Sequence, residues 1–180
     1  MEKLKILIAL LPIIFMIHDF EEIIMFKPWL DKNRSELKRR FPKFEDFLTK
    51  GNYFTLSTSA FAIAVLHEFI LISLVTILSL WYNSYNWWFA AFSVYTIHLF
   101  VHIVQWIIYR KYVPVIITSI LTLPYCIYTF IVFISTVEIS QTQILFWTLV
   151  GIIVTILSFP SAFYFAFKFD NWKNKFYSTK

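Results

Sequence analysis

His18, Glu21 and Glu22 lie three and four residues apart within an apolar stretch, and that spacing puts an imidazole and two carboxylates on one side of a helix. Such a set can ligate a divalent cation or pass a proton between acid and base. Asp19 stands beside it. An ionised group at mid-bilayer depth costs about 2.5–3.5 kcal/mol on insertion scales, so charges in such a place usually face a bundle interior and mark a site. The signal recurs twice. His67-Glu68 interrupts a second apolar run, and His98 with His102, four apart, interrupts a third.

Imidazoles and carboxylates projected inward from facing helices are the donor set of bundle metalloproteins, and they suit zinc first, with iron or manganese as alternatives. The expectation is that His18, His102 and one of Glu21, Glu22 or Glu68 hold the ion, that another glutamate is the general base, and that His67 and His98 are further ligand candidates. Asp19 is expected to orient a histidine. Tyr125 and Ser161 are expected to line the site. His67 and Glu68 point about 100° apart on a helix, so only one is expected to aim straight into it, Glu68 being preferred. The alternative for each residue is a polar network that holds helices together, where such contacts average about 0.6 kcal/mol. No H-E-x-x-H occurs, because Leu71 stands where the second His would be required.

The elements that must carry these groups are membrane helices. The chain is 59% hydrophobic and 15% charged, with a mean hydropathy of +0.67, and water alone would not keep it soluble. The apolar runs predict an all-α, single-domain bundle of five spans at 4–26, 53–81, 87–109, 114–137 and 144–167. Four spans remain open if one segment is re-entrant, and six if the second run is broken. The N-terminal run lacks a small-residue cleavage site and is read as a retained helix. Cys126 is the lone cysteine, so no internal disulfide is available.

Positive charge sets the expected orientation. Lys27, Lys32, Arg34, Lys38, Arg39, Arg40, Lys43 and Lys50 follow the first span, Arg110 and Lys111 the third, and Lys168, Lys173, Lys175 and Lys180 the fifth, all on one side. Only Lys3 and Lys5 oppose them. This predicts an integral protein of a bacterial cytoplasmic membrane, with the N-terminus outside and the basic loop and C-terminus cytoplasmic. The net charge of +5 thereby reads as topology, with no case for nucleic-acid binding. Leu37, Phe41, Phe44 and Leu48 recur at helical spacing among the basic residues, which predicts an interfacial amphipathic segment over 30–50 that meets anionic headgroups.

Depth then brings the groups together. At about 1.5 Å per residue, His18 lies about 12 Å from Phe26, His102 about 12 Å and His98 about 18 Å from Arg110, His67 and Glu68 about 21 Å from Tyr53, and Tyr125 about 16 Å from Pro114.

The run His18-Asp19-Phe20-Glu21-Glu22, with His98-Leu-Phe-Val-His102, Tyr112-Val-Pro114 and Leu123-Pro124-Tyr125 followed by Tyr128, resembles the HXXEE-domain membrane proteins over roughly residues 10–130. The chain departs from that pattern at His98, where the family often has Asn, and at Val115, where it often has Gly after the proline. The resemblance implies a membrane-embedded enzyme of undetermined reaction, and makes His98 a candidate for a supporting position beside the ligands.

A metal held in this layer would polarise a carbonyl or phosphoryl oxygen, and a site among Phe, Trp and Ile side chains favours a lipid or lipidated substrate. The expected function is metal-dependent hydrolysis or acyl transfer on such a substrate. One alternative is a metal-free Glu/His intramembrane hydrolase or protease, though Glu21-Glu22 lacks a downstream arginine in the same helix. The other is a proton or metal-ion carrier, though no repeated halves are visible. Phosphate loops, dinucleotide fingerprints and serine-nucleophile motifs are absent from the sequence.

Overall fold

A computed structural model describes residues 1–178 and is all-helical; Lys180, counted above among the basic residues, lies outside the described residues. Its elements are α1 (Glu2–Arg40), α2 (Pro42–Lys50), α3 (Thr58–Tyr82), α4 (Asn86–Tyr109), α5 (Ile116–Thr136) and α6 (Gln141–Ser178), with a 3₁₀ turn at Tyr53–Thr55. Four of them, α3 to α6, are long and apolar enough to cross a membrane, which is compatible with an integral membrane protein. α1 differs only in the charges it carries among its apolar residues.

Two boundaries depart from the sequence expectation. The first helix does not stop near residue 26 but runs 39 residues to Arg40, about 58 Å and twice a hydrocarbon core. The expected segment 30–50 is therefore two pieces, the tail of α1 and the separate α2. Proline explains the break: the ring of Pro42 disfavours helical geometry at Phe41, which adopts φ −135°, and Pro42 itself begins α2. The last helix likewise extends past residue 167 to Ser178.

Side-chain bonds gather the basic ends at one pole. Arg40 donates to the carbonyls of Tyr109 (3.0 Å) and Ile108 (3.3 Å), Trp29 Nε1 to Tyr112 O (2.8 Å), and Lys111 pairs with Glu36 (2.8 Å). Hydrogen bonds from Lys111 and Arg40 hold the Glu36 carboxyl down at about 2. Arg34 joins α1 to Glu45 of α2 at 3.1 Å. Asp170 and Lys173 of α6 close on Ser57, whose hydroxyl caps α3 by accepting from Ala60 N. At the opposite pole Tyr125 donates to Leu7 O (2.7 Å) and Lys3 lies over the Tyr128 ring. The long helices thus alternate in direction.

Leu4, Ile8 and Leu11 are fully buried on one stripe of α1, against an aromatic layer that includes Trp88, Phe92 and Phe133. Leu37 of α1 and Leu48 of α2 are buried too, in a small second core with Leu30, Tyr109, Val113 and Ile116, while Phe44 and Phe47 stay exposed. The sequence has only two glycines, yet one makes a close helix crossing: a Cβ on Gly151 of α6 would sit 2.3 Å from Ala90 O of α4. Val115, just before α5, adopts φ 71°, a region where a β-branched residue is strained by roughly 1–2 kcal/mol. Glycine, which the resembled pattern often has here, takes that conformation freely.

Candidate metal centre and its facing cavity

The H-x-x-E-E residues sit midway along α1, where the helix meets α4 on one side and α5 on another. His18 is fully buried, and its ring lies 5.2 Å from that of His98 and 5.5 Å from that of His102; the two α4 rings are 4.3 Å apart. Each of the three offers a nitrogen within 4.8 Å of the other two. A tetrahedral zinc with Zn–N of about 2.0–2.1 Å holds its donors about 3.3 Å apart, so small side-chain rotations would bring the three rings onto an ion.

Hydrogen bonding sets the tautomers. Gln105 Oε1 lies 3.0 Å from His102 Nδ1 and only accepts, so that nitrogen carries the proton and Nε2 a lone pair. His98 Nε2 approaches that lone pair at 2.9 Å and donates to it. On the other side, the Thr118 hydroxyl donates to Glu21 Oε2 (2.7 Å) and receives His18 Nδ1–H at 3.4 Å, which turns the lone pair of His18 Nε2 inward. His18 Nε2 is buried with no hydrogen-bond partner, as is Asp19 Oδ2. Two orphaned acceptors on consecutive residues of α1 fit a bound cation, whereas the other unpartnered buried atoms, at Ser73, Thr76, Trp88, Ser119 and Thr129, are hydroxyls and an indole N–H.

A second set shares His98. Asp19, Glu22 and His98 offer donor atoms within 4.8 Å of one another, and two carboxylates that close in a water-poor interior call for a positive charge or a shared proton between them. All three open onto a cavity of ≈ 310 Å³ bounded by α1, α3, α4 and α6, also lined by Glu68 and Ser158 and by a mainly apolar remainder that includes Phe61, Val94 and Phe159.

The other residues singled out from sequence are elsewhere. Glu21 faces α5, where it accepts from Tyr112 OH (2.8 Å), Thr118 N (2.8 Å) and Thr118 Oγ1, and so caps the first turn of that helix. Glu68 accepts from His67 Nδ1 (3.2 Å) and Ser158 (3.1 Å), and His67 Nε2 meets Ser161 at 3.1 Å. Tyr125 is tied to the α1 backbone at Leu7. His67, Tyr125 and Ser161 therefore stand apart from the three-imidazole cluster, whereas Glu21 reaches it through the Thr118 hydroxyl. Thr118, Gln105 and Ser158 are partners that sequence reasoning missed. Gln105 carried a usable signal, being three residues from His102 on the same face; Thr118 and Ser158 carried none, because they reach their partners across helices.

The model of a family described as a protein of unknown function with HXXEE motif matches residues 9–129. No curated protein and no solved structure matches the chain.

Proposed function

The chain belongs to the HXXEE-motif family, and from that premise we propose that it is a membrane-embedded metal-dependent enzyme, a hydrolase or acyl transferase acting on a lipid or lipid-linked substrate. The observation that carries this reading is the convergence of three buried imidazoles with His18 Nε2 lacking any partner. His18, His98 and His102 hold the ion, zinc by preference for nitrogen donors. A bound divalent ion supplies Lewis acidity toward an ester or phosphoryl oxygen and acidifies water.

The chain's own residues do the rest. Glu22, on the cavity side of the cluster, takes up and returns the proton of the attacking hydroxyl or water; Asp19, buried beside it, keeps that carboxylate pair in register. Gln105 and the Glu21–Thr118 pair fix the imidazole tautomers. The apolar walls of the cavity accept an acyl chain and exclude bulk water.

The same reading makes α1 the fifth span, with its charges turned to the bundle, and the basic pole cytoplasmic. Exposed Phe44 and Phe47 of α2, beside Lys43 and Lys50, rest on the anionic leaflet. The test is metal content by mass spectrometry on untagged protein in mild detergent, beside His18→Ala and Glu22→Gln. About one bound ion per chain in the parent, lost in His18→Ala, supports the reading; folded parent protein that binds no stoichiometric metal refutes it.

A further inference from the structure

Outside the imidazole cluster, one more group of titratable and nucleophilic side chains is assembled across two helices. On α3, His67 Nδ1 donates to Glu68 Oε1 at 3.2 Å, which leaves Nε2 as an acceptor. On α6, the Ser161 hydroxyl lies 3.1 Å from that Nε2. Glu68 is itself held from the other side by Ser158 at 3.1 Å. We propose that Ser161, His67 and Glu68 form a serine-nucleophile centre at the α3–α6 seam, independent of any metal, that takes the ester carbonyl of a membrane lipid.

The roles follow from the atoms. A hydroxyl becomes a nucleophile when an adjacent base takes its proton, and the base works when a third group holds its ring and stabilises the imidazolium. Here the order hydroxyl, Nε2, Nδ1, carboxylate runs Ser161, His67, Glu68. Ser161 has one proton and two acceptors, His67 Nε2 and the carbonyl of Ser158 at 2.7 Å, so a small rotation commits it to the base. In the forward step Ser161 Oγ bonds to the ester carbon as its proton passes to His67 Nε2. The ester C–O bond then breaks and the leaving alcohol takes that proton. Water, activated by the same imidazole, releases the acyl group as a carboxylic acid.

Access differs from that of the metal cavity. Ser158 and Glu68 line the cavity, whereas Ser161 and His67 do not; the His67 side chain is 20% exposed, beside the half-exposed ring of Phe165. The seam opens on the outer surface of the bundle, where an acyl chain lies without entering the interior. Ser161 is seven residues from Lys168, about 10 Å from the basic pole, within the adjacent leaflet's half-thickness of about 15 Å. Pro160, immediately before it, removes one hydrogen bond of the α6 ladder. A purely structural seam would need hydrogen bonds but not this donor and acceptor order.

The experiment is covalent capture. The full chain in detergent, with and without a chelator, is treated with a lipid-tailed fluorophosphonate, which loses fluoride as it bonds to an activated serine, and the adduct is mapped by peptide mass spectrometry. The expected result is an adduct on Ser161 that the chelator leaves unchanged, absent in Ser161→Ala, and formed at least about tenfold more slowly in His67→Gln. Thermal unfolding of each variant shows that the bundle persists, and if Ser161→Ala does not fold, the mapped adduct of the parent and the His67→Gln rate still decide. No adduct on Ser161 in the folded parent, or labelling that His67→Gln leaves unaltered, overturns the proposal. Labelling lost with chelator also overturns it, by making the serine dependent on the imidazole cluster. Failure here leaves the metal count untouched, and the reverse also holds.

Discussion

Neighbouring glutamates of one motif should respond to the same isosteric change with opposite signs. Glu21 accepts three hydrogen bonds, from Tyr112 OH, Thr118 N and Thr118 Oγ1, at 2.7–2.8 Å. In Glu21→Gln one oxygen becomes an NH₂. That group faces either Tyr112 OH, which can rotate, or Thr118 N–H, which cannot accept. The variant loses the charge assistance of three bonds, worth about 1.5–3 kcal/mol each with charge and about 1 without, and the favourable interaction of an anion with the α5 N-terminus, about 0.3–1 kcal/mol. Allowing for relaxation, the expected loss is about 2–4 kcal/mol. Glu22→Gln instead removes one charge from a carboxylate pair whose oxygens lie within 4.8 Å, so metal-free protein should be unchanged or more stable. Unfolding of both variants in a detergent titration, with chelator present, measures the difference. Equal destabilisation, or a larger loss for Glu22→Gln, would refute the division of labour between the two residues.

Other expectations are more compact. Loading the imidazole cluster should break the His98–His102 hydrogen bond without net proton release, because the neutral His98 ring must move its proton from Nε2 to Nδ1 to ligate; histidine nitrogen NMR and a pH dye during metal titration read this, and a stoichiometric proton release would refute these tautomers. Gly151→Ala drives a methyl into Ala90 O and Val94, so it should destabilise by about 1–3 kcal/mol and narrow the cavity, read as a lowered melting temperature. Glu36 has its folded pKa depressed from 4.5 to about 2 by Lys111 and Arg40. Its contribution is therefore present above pH 4.5 and lost as pH falls toward 2, so the melting-temperature gap between parent and Lys111→Met should be constant from pH 7 to 4.5 and close by pH 2. A gap that persists at pH 2 would show that the ion pair is not its source.

Much of the helical architecture was legible in the sequence because it rests on short-range rules. Apolar run length defined α3 to α5 to within a few residues, apart from the 3₁₀ turn ahead of α3. The run-on of α1 and α6 was not legible. Polar sequence carries no signal against helix when tertiary partners such as Tyr109, Tyr112 and Ser57 hold it.

The candidate site divides in the same way. Residue types and i, i+4 spacing already put His18 with Glu22 and His98 with His102, since a helix repeats every 3.6 residues and neighbours on a stripe need no knowledge of the fold. The same periodicity separates consecutive residues by about 100°, and sequence has no means of saying which of Glu21 and Glu22, or of His67 and Glu68, looks inward. Packing settled that. α5 supplied a helix N-terminus to Glu21, α6 supplied hydroxyls to His67 and Glu68, and the crossing of α1 with α4 brought nitrogens of three imidazoles within 4.8 Å of one another. Those partners lie 80 to 97 residues apart in the chain, and contact over such a distance is a property of helix packing angles, which no local pattern encodes.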